Sequence, residues 1–427
     1  MPNWWEVSRG GKRFPVAWRD VRRWNRDFTL FFVARAAARL GDMMLPVALA
    51  AGLIRYGYGV GAVGGAMAAF SACFAGFVIF GGVIADRFDT RAVMVAADLT
   101  RVVTQSSVAV MFFAGHVVFW QICLVGAVNG LCAALFQPGI ASTIPRIATD
   151  VQGANSVIRV AESVMGVAGP AFAGLLIGVT SVGGVFAVHA ATYLTSALCL
   201  LGLRLRRGER PAKRTRFRAD LVEGWREFRA RGWVWGVILV WMVLMITTFG
   251  PLTPLVATEI ITTHGDTAYG LINSIGGAGM AVGGLVAMRL RPHHPLRAGA
   301  IAMLGYGLLP AMVAVGAPIW LVGLGFAVTG GVQTFWSVMW ATSIQTQIPG
   351  SILNRIHAYE VAGSLAMMPV GQALAGPAAG ALGAEPVLLI GAVAAVAGMA
   401  ALLLAPPVRD LGRADGPVRE GSTLVRG

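Results

Sequence analysis

The sequence predicts an all-α integral membrane protein of twelve transmembrane helices, arranged as two six-helix halves with both termini in the cytoplasm. Three observations predict this architecture. Hydrophobic residues make up 56% of the 427 positions, more than a soluble domain buries in its core. About twelve apolar stretches reach the roughly 20 residues that a membrane-spanning helix needs. One long basic segment, residues 204–232, interrupts this pattern halfway along the chain.

The predicted spans follow one another with short connections, six on each side of the basic segment. The spans of the first half cover residues 28–54, 60–84, 92–114, 117–140, 155–180 and 183–203. The spans of the second half cover residues 233–258, 267–290, 298–315, 318–345, 355–382 and 386–406. The remaining segments complete the predicted organisation, which is an N-terminal half at 28–203, a C-terminal half at 233–406, the linker 204–232 and cytoplasmic tails at 1–27 and 407–427.

Basic residues are concentrated on one predicted side of the membrane. The formal net charge is +14, and arginine and lysine collect in both tails, in the linker and near Arg87 and Arg289. With twelve spans all of these segments face the same side, whereas the opposite loops hold Arg55 and almost no other basic residue. This positive-inside pattern predicts that both termini lie in the cytoplasm. It also argues against nucleic acid as a partner, because that would require one folded basic face.

The two halves share short sequence repeats. The segment "GGVIADR" (81–87) aligns with "GGLVAMR" (283–289), and "AGPAFAG" (168–174) resembles "AGPAAG" (375–380). Each pair lies in corresponding spans of the two halves, the second and the fifth. Parallel six-helix repeats are one known architecture of transporters, whose substrate site lies between the repeats near the middle of the membrane.

The segment "GGVIADRFDTRA" (81–92) resembles the loop between the second and third helices of the major facilitator superfamily. Four residues match the family pattern, and these are Gly82, Asp86, Arg87 and Arg91. The second glycine of that pattern is absent, with Phe88-Asp89 in its place. The resemblance implies the major facilitator fold, transport by alternating access and a monomeric protein.

We predict that this charged loop, residues 85–91, acts as a cytoplasmic latch between the halves. Asp86 would accept hydrogen bonds from the N-terminus of the eleventh span, which carries partial positive charge. The alternative is an ordinary solvated loop that only obeys the positive-inside rule.

A second stretch, "GVAGPAFAG" (166–174), resembles the Gly-Pro motif that antiporters of the superfamily carry on their fifth helix. The matching residues are Gly166, Gly169, Pro170 and Gly174. The last glycine of the pattern is missing, because Leu175 follows Gly174. Further stretches such as "RLGDMMLPVAL" (39–49) and "MMPVGQALAGP" (367–377) resemble the bacterial branch that holds macrolide-efflux proteins and siderophore exporters. This resemblance favours export by antiport.

Ionisable side chains inside the spans are costly, so they are expected to face a cavity or an ion partner. Three pairs are spaced i, i+3 on one helix face and are predicted ion pairs, namely Arg39/Asp42, Asp98/Arg101 and Arg159/Glu162. Asp42 lies near the middle of its span, which favours it as the group that binds and releases protons. Glu162 and then Glu360 are the next candidates. His189 either carries a proton or is a satisfied buried histidine.

The energy source is predicted to be the proton gradient, with no cofactor. No GxxxxGK[ST] run for ATP occurs, and the hydrolase motifs HExxH and GxSxG are absent as well. We therefore predict no enzymatic activity. The four cysteines lie inside spans without CxxC spacing, and we interpret them as packing residues, not as metal ligands.

The predicted substrate is a large, mostly apolar small molecule with scattered polar groups. Aromatic and amide side chains of the second half are the predicted cavity lining, and these are Trp241, Phe249, Asn273, Gln333, Trp336 and Trp340. The aromatic residues alternatively face lipid. Macrolides, other secondary metabolites, siderophores and lysophospholipids all remain open as substrates, and so does uptake instead of export. A sensor or scaffold is the alternative from another class of protein, but it would not need Asp42 in mid-membrane.

Overall fold

The computed structural model describes residues 25–87, 89–148, 151–204, 225–226, 229–348 and 363–412. All regular structure in this part of the chain is helical, and twelve helices are long and apolar enough to cross a membrane. The helices of the first half are α1 (Arg26–Arg55), α2 (Val60–Arg87), α3 (Thr90–Phe113), α4 (Phe119–Ile147), α5 (Val151–Val179) and α6 (Val182–Leu201). The helices of the second half are α7 (Gly232–His264), α8 (Asp266–Arg289), α9 (Pro295–Ala314), α10 (Ile319–Gln347), α11 (Gly363–Leu382) and α12 (Ala384–Leu404). A short helix, α13 (Pro406–Arg409), follows. The predicted twelve-helix fold is confirmed.

The charged segment between α2 and α3 is shorter than the predicted loop 85–91. Helix α2 continues to Arg87, and α3 begins at Thr90. Asp89 is the N-cap of α3, and its side chain accepts a hydrogen bond of 2.9 Å from the backbone N–H of Ala92. The carboxylate thus satisfies a backbone donor that would otherwise lack a partner at the start of the helix. Two residues are enough for the turn because this cap begins α3 at once.

Helix α7 contains a π-helical turn at Met245–Phe249. The Thr248 hydroxyl donates a hydrogen bond of 2.9 Å to the carbonyl oxygen of Gly391 in α12. Gly250 and Gly371 let α7 and α11 approach so closely that a Cβ on Gly250 would lie 2.6 Å from the Gly371 Cα. The wider turn thus positions α7 against both neighbouring helices. Such single π turns often mark functional regions of a helix.

Corresponding helices pack in the same way in the two halves. In the first half, Gly130 of α4 lies against the backbone of Phe70 in α2. In the second half, Gly279 and Gly283 of α8 lie against the backbone of Ala327 and Gly331 in α10. Small residues allow this close approach of helices inside a membrane. Close glycine packing thus joins the second and fourth helices of each half.

The two halves contact each other through α5 with α8 and through α2 with α11. On α5 and α8, Gly174 faces Gly270, and a Cβ on Gly174 would lie 3.2 Å from the Gly270 Cα. On α2 and α11, Gly61 faces Gly376 in the same manner. Gly61, Gly174 and Gly270 lie toward the end of the bundle that holds the short connections 56–59, 180–181 and 265. We call this the closed end, and we call the opposite end, which holds Arg91, Arg289 and Arg291, the basic end.

Candidate functional site

Two cavities of about 460 Å³ each lie in the middle of the bundle. The first cavity is enclosed mainly by the first half and is lined by Asp42, Arg101, Gln105 and Gln372, among others. The second cavity lies between the halves, and α5, α7, α8, α9 and α10 contribute to its wall. Four residues line both cavities, and these are Arg39, Met43, Pro46 and Thr253. Helix α1 therefore forms the partition between them.

Asp42 lies on the wall of the first cavity, near the middle of α1. The Tyr193 hydroxyl of α6 donates a hydrogen bond of 2.5 Å to Asp42 Oδ1. The Nε2 atom of His189, one turn earlier on α6, lies 3.9 Å from the same oxygen. Gly41 permits this arrangement, because a Cβ there would collide with His189 and Thr192. The Asp42 side chain keeps 35% of its surface exposed, so it is open to the cavity.

A second acidic group, Asp98 of α3, is completely buried beside this site. Ser196 of α6 donates a hydrogen bond of 2.6 Å to Asp98 Oδ2, and Arg101 Nη1 lies 3.7 Å from Oδ1. The Arg101 guanidinium also lies over the rings of Tyr193 and Phe136, at 5.0 and 5.6 Å from their centroids. The predicted pair Asp98/Arg101 is therefore present. It links α3 to α6 and places a cation next to the phenol that contacts Asp42.

Of the other two predicted pairs, Arg39/Asp42 is wrong, and Arg159/Glu162 stays a prediction because the side chain of Arg159 is not described. Glu162 forms its ion pair with Arg35 of α1, at 2.5 Å, and the side chain of Arg159 lies outside the described residues. Asp42 is engaged by Tyr193, and no ion pair joins it to Arg39. Helix packing explains the correction for Asp42, because α6 brings the Tyr193 hydroxyl within hydrogen-bonding distance of this carboxyl on α1. Glu360 lies outside the described residues.

Arg39 is a cation without a partner in the middle of the bundle. Among the described residues it forms no ion pair or hydrogen bond, and its Nε atom is buried without an acceptor. It lines both cavities. A buried guanidinium normally has an acceptor, since leaving a charged donor unsatisfied is costly. Arg39 is therefore positioned to donate to a bound substrate.

The proposed latch lies largely outside the described structure. The side chains of Gly82, Asp86 and Arg87 are among those not described, and so is the start of the eleventh span at 351–362. Arg91 is described, and its Nη2 atom donates a hydrogen bond to the Leu201 carbonyl oxygen at the end of α6. Arg91 thus ties α3 to α6 inside the first half. The latch between the halves stays a prediction.

The Gly-Pro motif lies at the interface between the halves. Gly174 and the Pro170 carbonyl oxygen face Gly270 of α8, where a Cβ would lie 2.6 Å from the Pro170 oxygen. Gly166 faces Gly277, where a Cβ would lie 2.9 Å from the Gly166 oxygen. Gly169 faces α1 instead, with its hypothetical Cβ 3.1 Å from the Leu40 carbonyl oxygen. The motif therefore supplies a backbone surface on which α8 and α1 pack.

The predicted aromatic lining is not on the wall of either central cavity. Trp241, Trp336 and Trp340 stack on one another, with centroid distances of 5.1 and 6.3 Å, and Phe249 packs against Trp241 at 5.5 Å. Trp336 and Phe249 are buried in the core. Large flat rings gain more contact by packing together between α7 and α10 than by lining a cavity. Asn273 and Gln333 do line the second cavity, as predicted.

Two features of the structure were not predicted from the sequence, namely the contact of Tyr193 with Asp42 and the ion pair between Arg55 and Asp266. Tyr193 was detectable, because it lies one helical turn after His189 and thus on the same face. Arg55 of α1 and Asp266 at the start of α8 form an ion pair between the halves at the closed end. The isolated Arg55 in an otherwise uncharged set of loops was the available signal, but its partner is 211 residues away. The described residues contain no group of three potential metal ligands.

The comparison with known families agrees with this geometry. The sequence profile of the family described as Major Facilitator Superfamily matches residues 31–359 of this chain. The chain belongs to the major facilitator superfamily. Solved transporters share its fold, including the nucleoside transporter NupG, with 16% identity, a TM-score of 0.71, and 88% of this chain and 99% of that chain covered. A POT family transporter in complex with 5-aminolevulinic acid gives 11% identity and a TM-score of 0.72, with coverage of 90% and 96%.

Two curated members of the superfamily are similar in sequence. The uncharacterized MFS-type transporter YfiS of Bacillus subtilis is 24% identical over 287 residues, which cover 64% of this chain and 68% of YfiS. The enterobactin exporter EntS of Escherichia coli is 26% identical over 328 residues, which cover 75% of this chain and 76% of EntS. The chain is therefore a multi-pass membrane transporter of this superfamily.

Proposed function

We propose that the protein exports amphipathic small molecules, such as drug-like compounds or secondary metabolites, across the bacterial inner membrane in exchange for protons. The observation that carries the proposal is Asp42, a carboxyl in the middle of a membrane span, open to a central cavity and held by Tyr193. Ionisable groups at this depth are typical of proton and substrate pathways. The protein would act as a monomer by alternating access, with both termini in the cytoplasm.

Three contacts suit Asp42 to proton exchange. The Tyr193 hydroxyl fixes the position of one carboxyl oxygen, and His189 lies beside it as a second titratable group. The exposed part of the carboxyl faces the first cavity, so a proton carried by water in that cavity would reach it directly. Asp98 is less suited, because it is fully buried and bonded to Ser196. Glu162 is paired with Arg35, and Glu360 remains a further candidate.

The lining supports a cargo that is mostly apolar with several hydrogen-bonding groups. The first cavity presents Met67, Phe70 and Phe74 beside Gln105 and Gln372. The Oε1 atoms of both glutamines are buried without a partner. The similarity to an enterobactin exporter favours a siderophore as a second candidate cargo. Lysophospholipid movement or solute uptake would need the same fold, and the experiment below separates export from both.

The test uses everted membrane vesicles with a preset proton gradient, acid inside, reported by a pH-sensitive dye. Candidate ligands from macrolides, other secondary metabolites and catecholate siderophores are added to the outside. We expect one ligand class to release protons with the wild-type protein and not with Asp42→Asn. The matched control is Asp410→Asn, because Asp410 is an exposed acid beyond α12.

Three outcomes bear on the proposal. Proton release with wild type and Asp410→Asn alone supports both antiport and the role of Asp42. Proton release by Asp42→Asn equal to that of the wild type would show that Asp42 is not the coupling group, and Glu162 and Glu360 would be tested next. If no ligand on the panel moves protons while lysophospholipid or solute crosses the membrane, proton-coupled export is rejected.

A further inference from the structure

A second, separate groove lies on the outer face of the C-terminal half, between α8, α9 and α10. Its volume is about 810 Å³, and its lining is apolar, from Ile275 near the middle of α8 to Leu290 at the helix end. Val282 and Ile301 line it and are 59% and 52% exposed, so the groove opens outward and not into the central cavities. This face of the bundle meets the lipid.

Glycine packing produces the groove. A Cβ on Gly279 would lie 2.7 Å from the Ala327 Cα, and one on Gly283 would lie 2.7 Å from the Gly331 Cα. Helices α8 and α10 therefore touch through their backbones, and no side chain stands between them. Gly279, Gly283 and Gly331 all line the groove, whose floor is closed by the buried ring of Phe335. The depth of the groove follows from these missing side chains.

The groove ends at a cluster of basic side chains. Its last lining residues, Leu290 and Ala298, flank the connection between α8 and α9. Three exposed arginines surround this connection, namely Arg289, Arg291 and Arg297. None of the three forms an ion pair or hydrogen bond with the described residues. Among the described residues, Asp410 faces Arg297 and His294, and it is already paired with Arg409 at 2.9 Å.

We propose that this groove binds one anionic phospholipid, with an acyl chain between α8, α9 and α10 and the headgroup at Arg289, Arg291 and Arg297. The chemistry of the two parts matches such a lipid, since the apolar groove leads directly to three arginines that have no ion partner among the described residues. From Ile275 to Leu290 the groove runs about 22 Å along α8, which exceeds the roughly 15 Å of one leaflet of hydrocarbon. Clusters of arginine at the cytoplasmic ends of spans attract anionic headgroups.

The positive charge of the three arginines makes the site selective for an anionic headgroup. A zwitterionic phosphatidylcholine would fill the apolar slot equally well, but it carries no net charge for the three arginines. An anionic phosphatidylglycerol with the same acyl chains gains these charge-assisted contacts. The site is therefore distinguished from general lipid solvation by its preference for the anionic lipid, and it does not depend on the proposed transport function.

The test is native mass spectrometry of the purified full-length protein with phosphatidylglycerol or phosphatidylcholine of identical acyl chains. We expect wild type to retain one phosphatidylglycerol with at least five-fold preference. The variant Arg291→Gln/Arg297→Gln should lose this preference. The matched control, Arg226→Gln/Arg229→Gln, removes two exposed arginines elsewhere and should keep it. Ala278→Phe, which fills the groove, should weaken binding of both lipids.

The opposite results would overturn the proposal. The headgroup site is rejected if the wild type retains the two lipids equally. It is also rejected if Arg291→Gln/Arg297→Gln keeps the wild-type preference for phosphatidylglycerol. Undiminished lipid binding in Ala278→Phe removes the groove. A mass corresponding to two chains without lipid assigns the groove to a second copy of the protein instead. Melting temperatures without added lipid verify that each variant is folded.

Discussion

At the scale of single residues, the polar side chains inside the bundle differ in whether their hydrogen-bonding atoms already have partners within the protein. Arg35 and Glu162 form an ion pair, and Asp98 accepts a hydrogen bond from Ser196 while its other oxygen lies 3.7 Å from Arg101. Asp42 is held on one side and open to the cavity on the other. Arg39 has no partner among the described residues and borders both cavities. In the proposed mechanism, Asp42 and Arg39 are available for transported species, as are the amide oxygens of Gln105 and Gln372, which have no partner among the described residues.

Arg39→Gln should weaken substrate binding, because it removes a charged donor that faces both cavities. A hydrogen bond to a charged group contributes about 1.5–3 kcal/mol, which corresponds to a loss of affinity of about ten-fold or more. The measurement is the ligand concentration that gives half-maximal proton release in the vesicle assay. Arg226→Gln, an exposed arginine near α7, is the control. An unchanged concentration for Arg39→Gln would show that Arg39 does not contact the substrate.

At the scale of elements, glycine decides where helices meet across the two halves. On α5 and α8 the contact is backbone on backbone, through Gly174 with Gly270 and Gly166 with Gly277. A contact of this kind has no side chain that could move aside, so it tolerates no added methyl group. The Gly-Pro motif thereby acquires a physical role as the packing surface between the halves.

Gly277→Ala should destabilise this contact, since its Cβ would lie 3.0 Å from the Val167 Cα. Overpacking costs about 1–3 kcal/mol, and we expect a lower melting temperature in detergent and slower transport. Gly284→Ala is the control on the same helix, because its Cβ would meet only Thr334 Cγ2 at 3.7 Å. Equal melting temperatures and transport rates for the two variants would refute the packing role of Gly277.

At the scale of the whole molecule, the described contacts between the halves close the central cavities from one end. The Arg55–Asp266 ion pair and the contact of Gly61 with Gly376 both lie there. If the protein works by alternating access, as proposed, these contacts separate during the transport cycle. Arg55 is 48% exposed, so its ion pair adds only about 1 kcal/mol or less to the closed arrangement. An ion pair of this strength favours the closed arrangement of this end but can be broken at a small cost in free energy.

Asp266→Asn should therefore raise the ratio of molecules whose closed end has separated to molecules whose closed end is intact. The expected increase is at most about five-fold. The measurement is the distance between spin labels at His116 and Val315, two exposed positions in the loops of the two halves, in a protein whose cysteines are replaced. Asp410→Asn should leave the distance distribution unchanged. The exchange Arg55→Asp/Asp266→Arg should restore the wild-type distribution, and its failure to do so would exclude a role for the ion pair.

The sequence by itself determined the twelve helices, their approximate ends and the superfamily, because runs of apolar residues and local motifs are properties of neighbouring positions. It also indicated Asp42, since depth in a span can be counted along the chain.

Only the tertiary structure decided which charges pair and which face a cavity. Glu162 pairs with Arg35 because α5 packs against α1, and Asp42 pairs with Tyr193 because α6 packs against α1, whereas spacing along α1 predicted Arg39 as the partner of Asp42. The same packing buries Trp336 and Phe249 and leaves Arg39 free of partners among the described residues. The physical reason is that an ionisable group in an apolar medium takes the best partner in space, and that partner is set by how the helices pack.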